Sequence, residues 1–128
     1  SQKPLKESVL LMDWYDDLPA LYAASDVFVM PSVYEGLGLV YVEAGAMGTP
    51  SIGYNVRGVR EAIVDGRTGI LVEPNDVSGL AQAMLDLGKN DNVRNEMGRE
   101  GRNRWKKEYN NKRFAELVAA VVRTLPKE

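Results

Sequence analysis

From residue 27 to residue 72 short apolar runs alternate with segments of helical periodicity, and few architectures accommodate that alternation. The runs at 9–12, 27–30, 50–54 and 70–72 are rich in strand formers and too short to be helices. Between them lie helix signals at 16–22, 39–47 and 58–64. Asp16 or Asp17 offers an N-cap with Pro19 in the tolerated first turn, and Gly48 closes the middle segment. Strands spaced by helices build βα units with right-handed crossovers and a parallel sheet. The expected fold is α/β, a Rossmann-like parallel sheet of about four strands with flanking helices.

The rest of the chain reads as helix. Asp76 caps a segment in which Val77, Leu80, Ala81, Met84 and Leu87 recur at spacings of three and four. A second helix is expected over 93–109. Phe114, Leu117, Val118, Val121, Val122 and Leu125 then mark a final amphipathic helix that stops at Pro126. With 128 residues the chain suits one domain, or a piece of one, and is too short for two. Its 45% hydrophobic content sets it apart from disordered sequences.

Composition also removes whole classes of chemistry. The chain has no cysteine and no histidine, so a disulfide framework, a histidine general base and a histidine or cysteine zinc site are excluded. Any metal would have to use carboxylate or backbone oxygens. No apolar run approaches the roughly 20 residues that cross a bilayer, and no basic-then-apolar leader opens the sequence, so a cytoplasmic location is expected. Residues 94–113 hold eight Lys or Arg against three acids. A face of that charge suits a phosphate or a peripheral contact with an anionic membrane, and it equally suits a solvated helix surface. Its aromatics, Trp105 and Tyr109, stand four apart and read as anchors to the core rather than base-stacking groups, so no nucleic acid partner is expected.

In an open parallel sheet ligands bind beyond the C-terminal ends of the strands. Two glycine-containing loops, 31–38 and 55–58, arrive at that edge. Gly36 and Gly38 let the backbone approach a ligand closely, and the N–H groups of Leu37, Gly38 and Leu39 are the unpaired donors of a helix start. Those donors, with the helix dipole, are suited to a diphosphate, although a plain tight turn would also use the glycines. Glu35 precedes the turn and Glu43 lies one helical turn inside the helix. Beside an anion site such carboxylates need hydroxyls or cations to accept from, and a nucleotide-sugar carries hydroxyls on both flanks of its phosphates. Glu43 suits a ribose diol and Glu35 the transferred sugar; their simpler readings are a first-turn acid for Glu35 and a solvent-facing carboxylate for Glu43. Ser32 is either a turn residue or a contact to phosphate or hydroxyl. Glu61 is open between capping, pairing with Arg57 or Arg60, and lining the crevice.

Other nucleotide motifs fail. The turn Glu35-Gly36-Leu37-Gly38-Leu39-Val40-Tyr41 has tyrosine where a dinucleotide fingerprint needs its third glycine, and no Gly-Lys-Ser/Thr is present. Ser32 has no histidine or adjacent lysine to activate it, which argues against triad hydrolysis.

Taken in order, several segments resemble the C-terminal part of a retaining glycosyltransferase of the GT-B fold, family 4 type. They are Leu21-Tyr22-Ala23-Ala24-Ser25-Asp26-Val27-Phe28-Val29-Met30-Pro31-Ser32, Tyr34-Glu35-Gly36-Leu37-Gly38, Ala46-Met47-Gly48-Thr49-Pro50, Glu61-Ala62-Ile63-Val64-Asp65-Gly66-Arg67-Thr68-Gly69-Ile70-Leu71-Val72 and Pro74-Asn75-Asp76. The resemblance covers residues 9–125. It implies that Glu43 holds the nucleotide ribose, that Glu35 contacts the transferred sugar, and that Gly36, Leu37, Gly38 and Leu39 present amides to the diphosphate. It also implies a metal-independent, retaining front-face reaction with no cofactor beyond the nucleotide-diphosphate sugar donor.

The sequence departs from the family pattern at Arg57-Gly58, where a Gly-Gly pair is usual, and at Met12-Asp13, where a glycine commonly ends the strand. Residues 1–128 therefore match a partial C-terminal nucleotide-sugar-binding domain, an incomplete half of the GT-B architecture. The acceptor-binding domain and two βα units that carry diphosphate-neutralising Arg and Lys are not among the matched segments. Either residues 9–12 move in beside 27–30, or that sheet edge stays open for the missing N-terminal domain or for self-association. The isolated chain is expected to be inactive. Two alternatives remain at this point, a non-catalytic α/β interaction module and a fragment of a GT-B epimerase.

Overall fold

The computed structural model describes residues 4–126, apart from the side chain of Phe114. Helices α1 (Leu5–Ser8) and α2 (Leu18–Ala24) precede strand β1 (Phe28–Met30). Helix α3 (Leu39–Ala46) leads to β2 (Ser51–Tyr54), and α4 (Val59–Ala62) leads to β3 (Gly69–Val72). Helices α5 (Val77–Lys89), α6 (Asp91–Glu108) and α7 (Asn111–Thr124) complete the chain.

The strands form one parallel sheet in the order β1-β2-β3. Phe28 pairs with Ser51, and Ser51 with Gly69, so the C-terminal tips of the strands stay level. All of β2 is buried, as a central strand covered on both faces must be. Its period of two divides the interior into two cores. Ile52 and Tyr54 join Val72, Ala83, Leu87 and Met97 on the face covered by α5 and α6. On the other face Tyr41, Val59 and Ile63 pack with Phe28, Met30 and Leu71. Gly53 supplies the room: a Cβ there would lie 2.8 Å from Val59 and 3.1 Å from the Tyr41 ring.

The helix starts follow their capping residues. Asp17 accepts from the Ala20 amide, Asp76 from Gly79, Asn90 from Val93 and Asn110 from Arg113, at 2.9 to 3.1 Å. The Asn90 cap starts α6 at Asp91, two residues before the expected start. Helix α6 then lies against α3 with almost no space between the backbones. A Cβ on Gly98 would overlap the Gly48 carbonyl, and one on Gly101 would stand 3.7 Å from Gly45. Trp105 and Tyr109 are both half-buried, as anchors should be. Much of the positive charge is used locally: Arg94 pairs with Asp91, Arg99 with Glu96, Arg104 with Glu108 and Arg113 with Glu116. Four of the eight basic residues thus have a carboxylate partner, and the side chains of Arg94 and Arg104 are largely buried.

One expected strand does not form. Val9, Leu10, Leu11 and Met12 carry no strand pairing and are 48 to 89% exposed, so the sheet has three strands instead of about four. Strand propensity needs a partner backbone to become structure, and the nearest free edge, that of β1, is taken by no described segment. The two outcomes foreseen for this segment resolve in favour of the open edge. A second surface is also uncovered. On α7, Val118, Val121, Val122 and Leu125 are exposed and Leu117 is half-buried; the Phe114 side chain falls outside the described residues.

The α3–α6 contact generates a stability prediction. Gly98→Ala should destabilise the domain by about 1 to 3 kcal/mol, the usual cost of overpacking against backbone that has nowhere to move. Gly88→Ala, where a Cβ meets nothing within 4 Å, should be neutral or stabilising. Urea unfolding of the two variants beside the parent chain measures both.

Candidate functional site

The C-terminal tips of β1 and β2 deliver two loops to the same edge, 31–38 and 55–58. They meet backbone to backbone. Gly58 has φ +85°, and a Cβ there would lie 2.5 Å from the Glu35 carbonyl oxygen and 2.9 Å from that of Gly36. Gly38 has φ +63°, and a Cβ on it would stand 2.8 Å from the Gly58 carbonyl and 3.0 Å from Ala62. Both positions combine a left-handed backbone with a lack of space, and either condition alone favours glycine.

Gly38 is the N-cap of α3, and its carbonyl accepts from the amides of Tyr41 and Val42. Among the described residues no backbone acceptor takes the N–H of Leu37, Gly38 or Leu39. These are the free donors of a helix start, and the helix dipole adds partial positive charge at the same place. Gly38 itself is buried, whereas Gly36 and Leu37 are exposed and Leu39 is half-buried.

Four of the predicted site residues line two separate crevices, and Ser32, Gly38 and Leu39 line neither. Glu35, Gly36 and Leu37 line one of about 430 Å³ together with Val33, Tyr34, Val56, Arg57 and Glu61. Glu61 is thus a wall of this crevice, and no ion pair joins it to Arg57 or Arg60 among the described residues. Glu43 belongs elsewhere. It is exposed on the far flank of the turn, where it faces a crevice of about 540 Å³ formed with Met12, Asp13, Trp14, Tyr15, Asp16 and the start of α2. Helical geometry causes the division, because Glu43 lies beyond the first turn of α3 while Glu35 precedes it.

A tyrosine lies near each of the two carboxylates. Tyr41 is buried under the turn and donates from its hydroxyl to the Met30 carbonyl at 2.7 Å. Burial raises the pKa of its phenol; the neighbouring Ser32 hydroxyl works against this, and the charge of Glu35 reinforces it. Half-buried Ser32 and Glu35 therefore converge on one phenol. Tyr22 has the same role for Glu43. Its hydroxyl lies 3.4 Å from Glu43 Oε2, and burial first, then the carboxylate charge and the hydrogen bond, raise its pKa. Phe28 stands edge-on to both rings, 5.3 Å from Tyr22 and 5.7 Å from Tyr41.

Neither tyrosine was singled out by the sequence reading, nor was the wall formed by residues 12–18. Tyr41 sits at an ordinary buried position of a predominantly apolar helix. Tyr22 is 21 residues away from its carboxylate, and no local pattern links the two. Among the described residues no group of three or more His, Cys, Asp or Glu is placed to hold a metal ion. No described helix is long and apolar enough to cross a membrane.

Known proteins share this arrangement. The family model for "Glycosyl transferases group 1" matches residues 3–104. The D-inositol 3-phosphate glycosyltransferase of Paenarthrobacter aurescens strain TC1 is 47% identical over 83 residues, which are 65% of this chain and 20% of that protein. An Escherichia coli UDP-Gal:alpha-D-GlcNAc-diphosphoundecaprenol alpha-1,3-galactosyltransferase is 37% identical over 100 residues, 78% of this chain and 26% of its own length. The solved sucrose-phosphate synthase of Thermosynechococcus elongatus superposes with a TM-score of 0.72 at 35% identity, covering 80% of this chain and 26% of that one. The chain thus spans between a fifth and about a quarter of these relatives. Its parallel sheet and flanking helices are those of a GT-B C-terminal domain, and the chain belongs to the group 1 glycosyltransferase family.

Proposed function

We propose that this chain is the donor-binding part of a retaining glycosyltransferase and binds a nucleotide-diphosphate sugar across the glycine turn. The observation that carries this reading is the set of amides at Leu37, Gly38 and Leu39 that have no backbone acceptor among the described residues, at the strand tips beside the crevice lined by Glu35. In this reading the amides and the α3 dipole hold the diphosphate. Glu43 accepts hydrogen bonds from the ribose hydroxyls, and the crevice of residues 12–18 receives the base. Glu35 faces the hexose in the opposite crevice, with Ser32 beside it able to meet a phosphate oxygen or a hydroxyl. Retention follows if the acceptor oxygen attacks the anomeric carbon on the face from which the diphosphate departs. That leaving group then takes the acceptor proton, and stabilising its charge is the main task of the protein. This chemistry uses no cofactor besides the donor, in keeping with a chain that has no histidine or cysteine.

Complete turnover needs more than this chain. Its relatives are several times longer, the β1 edge is open, and Arg57 is the one cation among the residues that line the sugar-side crevice. The partner for the open edge is further sequence of a longer polypeptide or, in the isolated chain, a second copy. Arg102, Lys106 and Lys107 on α6 are exposed and have no salt-bridge partner among the described residues, and they suit a peripheral contact of the parent protein with an anionic membrane on the cytoplasmic side.

Calorimetric titration with UDP, the nucleotide of the galactosyltransferase relative's donor, tests the donor site. Glu43→Ala should weaken UDP binding by the roughly 1.5 to 3 kcal/mol that a charged hydrogen-bond partner contributes. Equal affinity in both proteins would remove Glu43 from the site. The isolated chain should form no product from UDP-glucose, UDP-galactose or UDP-N-acetylglucosamine with sugar acceptors. Sustained turnover would show that the site is complete without further sequence.

A further inference from the structure

We infer that Arg104, near the end of α6, is a positioning residue for the sugar-side wall of the donor site. The inference rests on the donor-site reading above. Arg104 is outside both crevices, and its side chain is only 20% exposed. Its guanidinium reaches across to α4. Nη1 donates to the Ala62 carbonyl and Nη2 to the Glu61 carbonyl, each at 2.8 Å, while Nε is held by Glu108 at 2.9 Å. The Tyr109 ring lies 5.4 Å from the guanidinium carbon, and the Tyr109 hydroxyl lies 3.4 Å from the same Glu61 carbonyl.

The clamp matters because of what it holds. Helix α4 is a single turn of four residues, too short to be stable alone, and its last carbonyls have no intrahelical donors. A planar guanidinium can satisfy two adjacent carbonyls at once with charge-assisted bonds, which a lysine cannot do with the same geometry. The two residues so held face the site. Glu61 lines the crevice with Glu35 and Arg57, and Ala62 is the side chain that a Cβ on Gly38 would meet at 3.0 Å. Helix α6 is in turn locked to α3 through Gly98 and Gly101. One rigid helix therefore sets the distance between the amide turn, which would take the diphosphate, and the α4 wall, which would take the hexose.

This role predicts a selective loss. Removing the clamp should reduce the part of the affinity contributed by the hexose and leave nucleotide binding in place. The experiment compares calorimetric affinities for UDP and for UDP-glucose, UDP-galactose and UDP-N-acetylglucosamine in the parent chain, Arg104→Met, Arg104→Lys and Tyr109→Phe. Circular dichroism checks that each variant is folded. The expected result is UDP affinity within about twofold of the parent, with the advantage of the best UDP-sugar over UDP cut about tenfold in Arg104→Met. Arg104→Lys should be intermediate, and Tyr109→Phe should show a smaller loss in the same direction, which keeps the test open if Arg104→Met fails to fold. Parallel losses for UDP and UDP-sugar, unchanged affinities, or a parent chain that gains nothing from any hexose would each overturn the positioning role. A parent chain that binds none of the four ligands would instead overturn the donor-site reading, and this inference with it.

Discussion

The backbone contact between Gly58 and the Glu35–Gly36 carbonyls is the constraint on which the rest of the site depends. It brings the loops of two neighbouring strands to the distance at which no side chain fits between them. Gly38, Gly58 and the carbonyls around them form a main-chain floor, closed at Gly38 by the side chains of Ala62 and Tyr41. The first amides of α3 stand at this floor without a backbone acceptor among the described residues. A methyl group at either glycine would separate the loops and reorient those donors, so the anion-binding geometry and the packing of the strand tips are one requirement.

The electrostatics follow from this floor. A helix start contributes roughly half a positive charge, and the turn lies between two carboxylates. Glu35 and Glu43 are tolerable there because each faces a solvent-accessible crevice and each has a phenol nearby, Tyr41 and Tyr22 respectively. The Tyr22 hydroxyl donates to Glu43 itself, whereas the Tyr41 hydroxyl donates to the Met30 carbonyl. A diphosphate carries more negative charge than the dipole and Arg57 together can balance. The chain spans 20% and 26% of the two curated relatives described above.

The surfaces left open have the same origin. Among the described residues the sheet has free edges at β1 and at β3. The apolar residues of 9–12 lie exposed, and so does much of the apolar stripe of α7. Each of these segments has the pattern of a buried element without the backbone or side-chain partner that would bury it. By contrast, the interior around β2 is complete, with separate cores on its two faces and glycine contacts locking α6 to α3.

Most of the local structure was legible from residues 16 to 124. The strand runs, the caps at Asp17 and Asp76 and the turn ahead of α3 are short-range features, set by side-chain periodicity and by backbone preferences that act over a few residues. The sheet's parallel sense and the edge that carries the site also follow from the order of strands and helices. Residues 9–12 mark the limit of such reasoning, since a strand exists only when another backbone accepts its hydrogen bonds. Tertiary structure alone decided the division of the acids, placing Glu35 with Arg57 and Glu61 and Glu43 with residues 12–18. It alone paired Tyr22 with Glu43 and brought Arg104 onto the end of α4, 42 residues away. Such contacts join groups remote in sequence, and no periodicity encodes them; they arise when close glycine packing fixes how far apart the helices can stand.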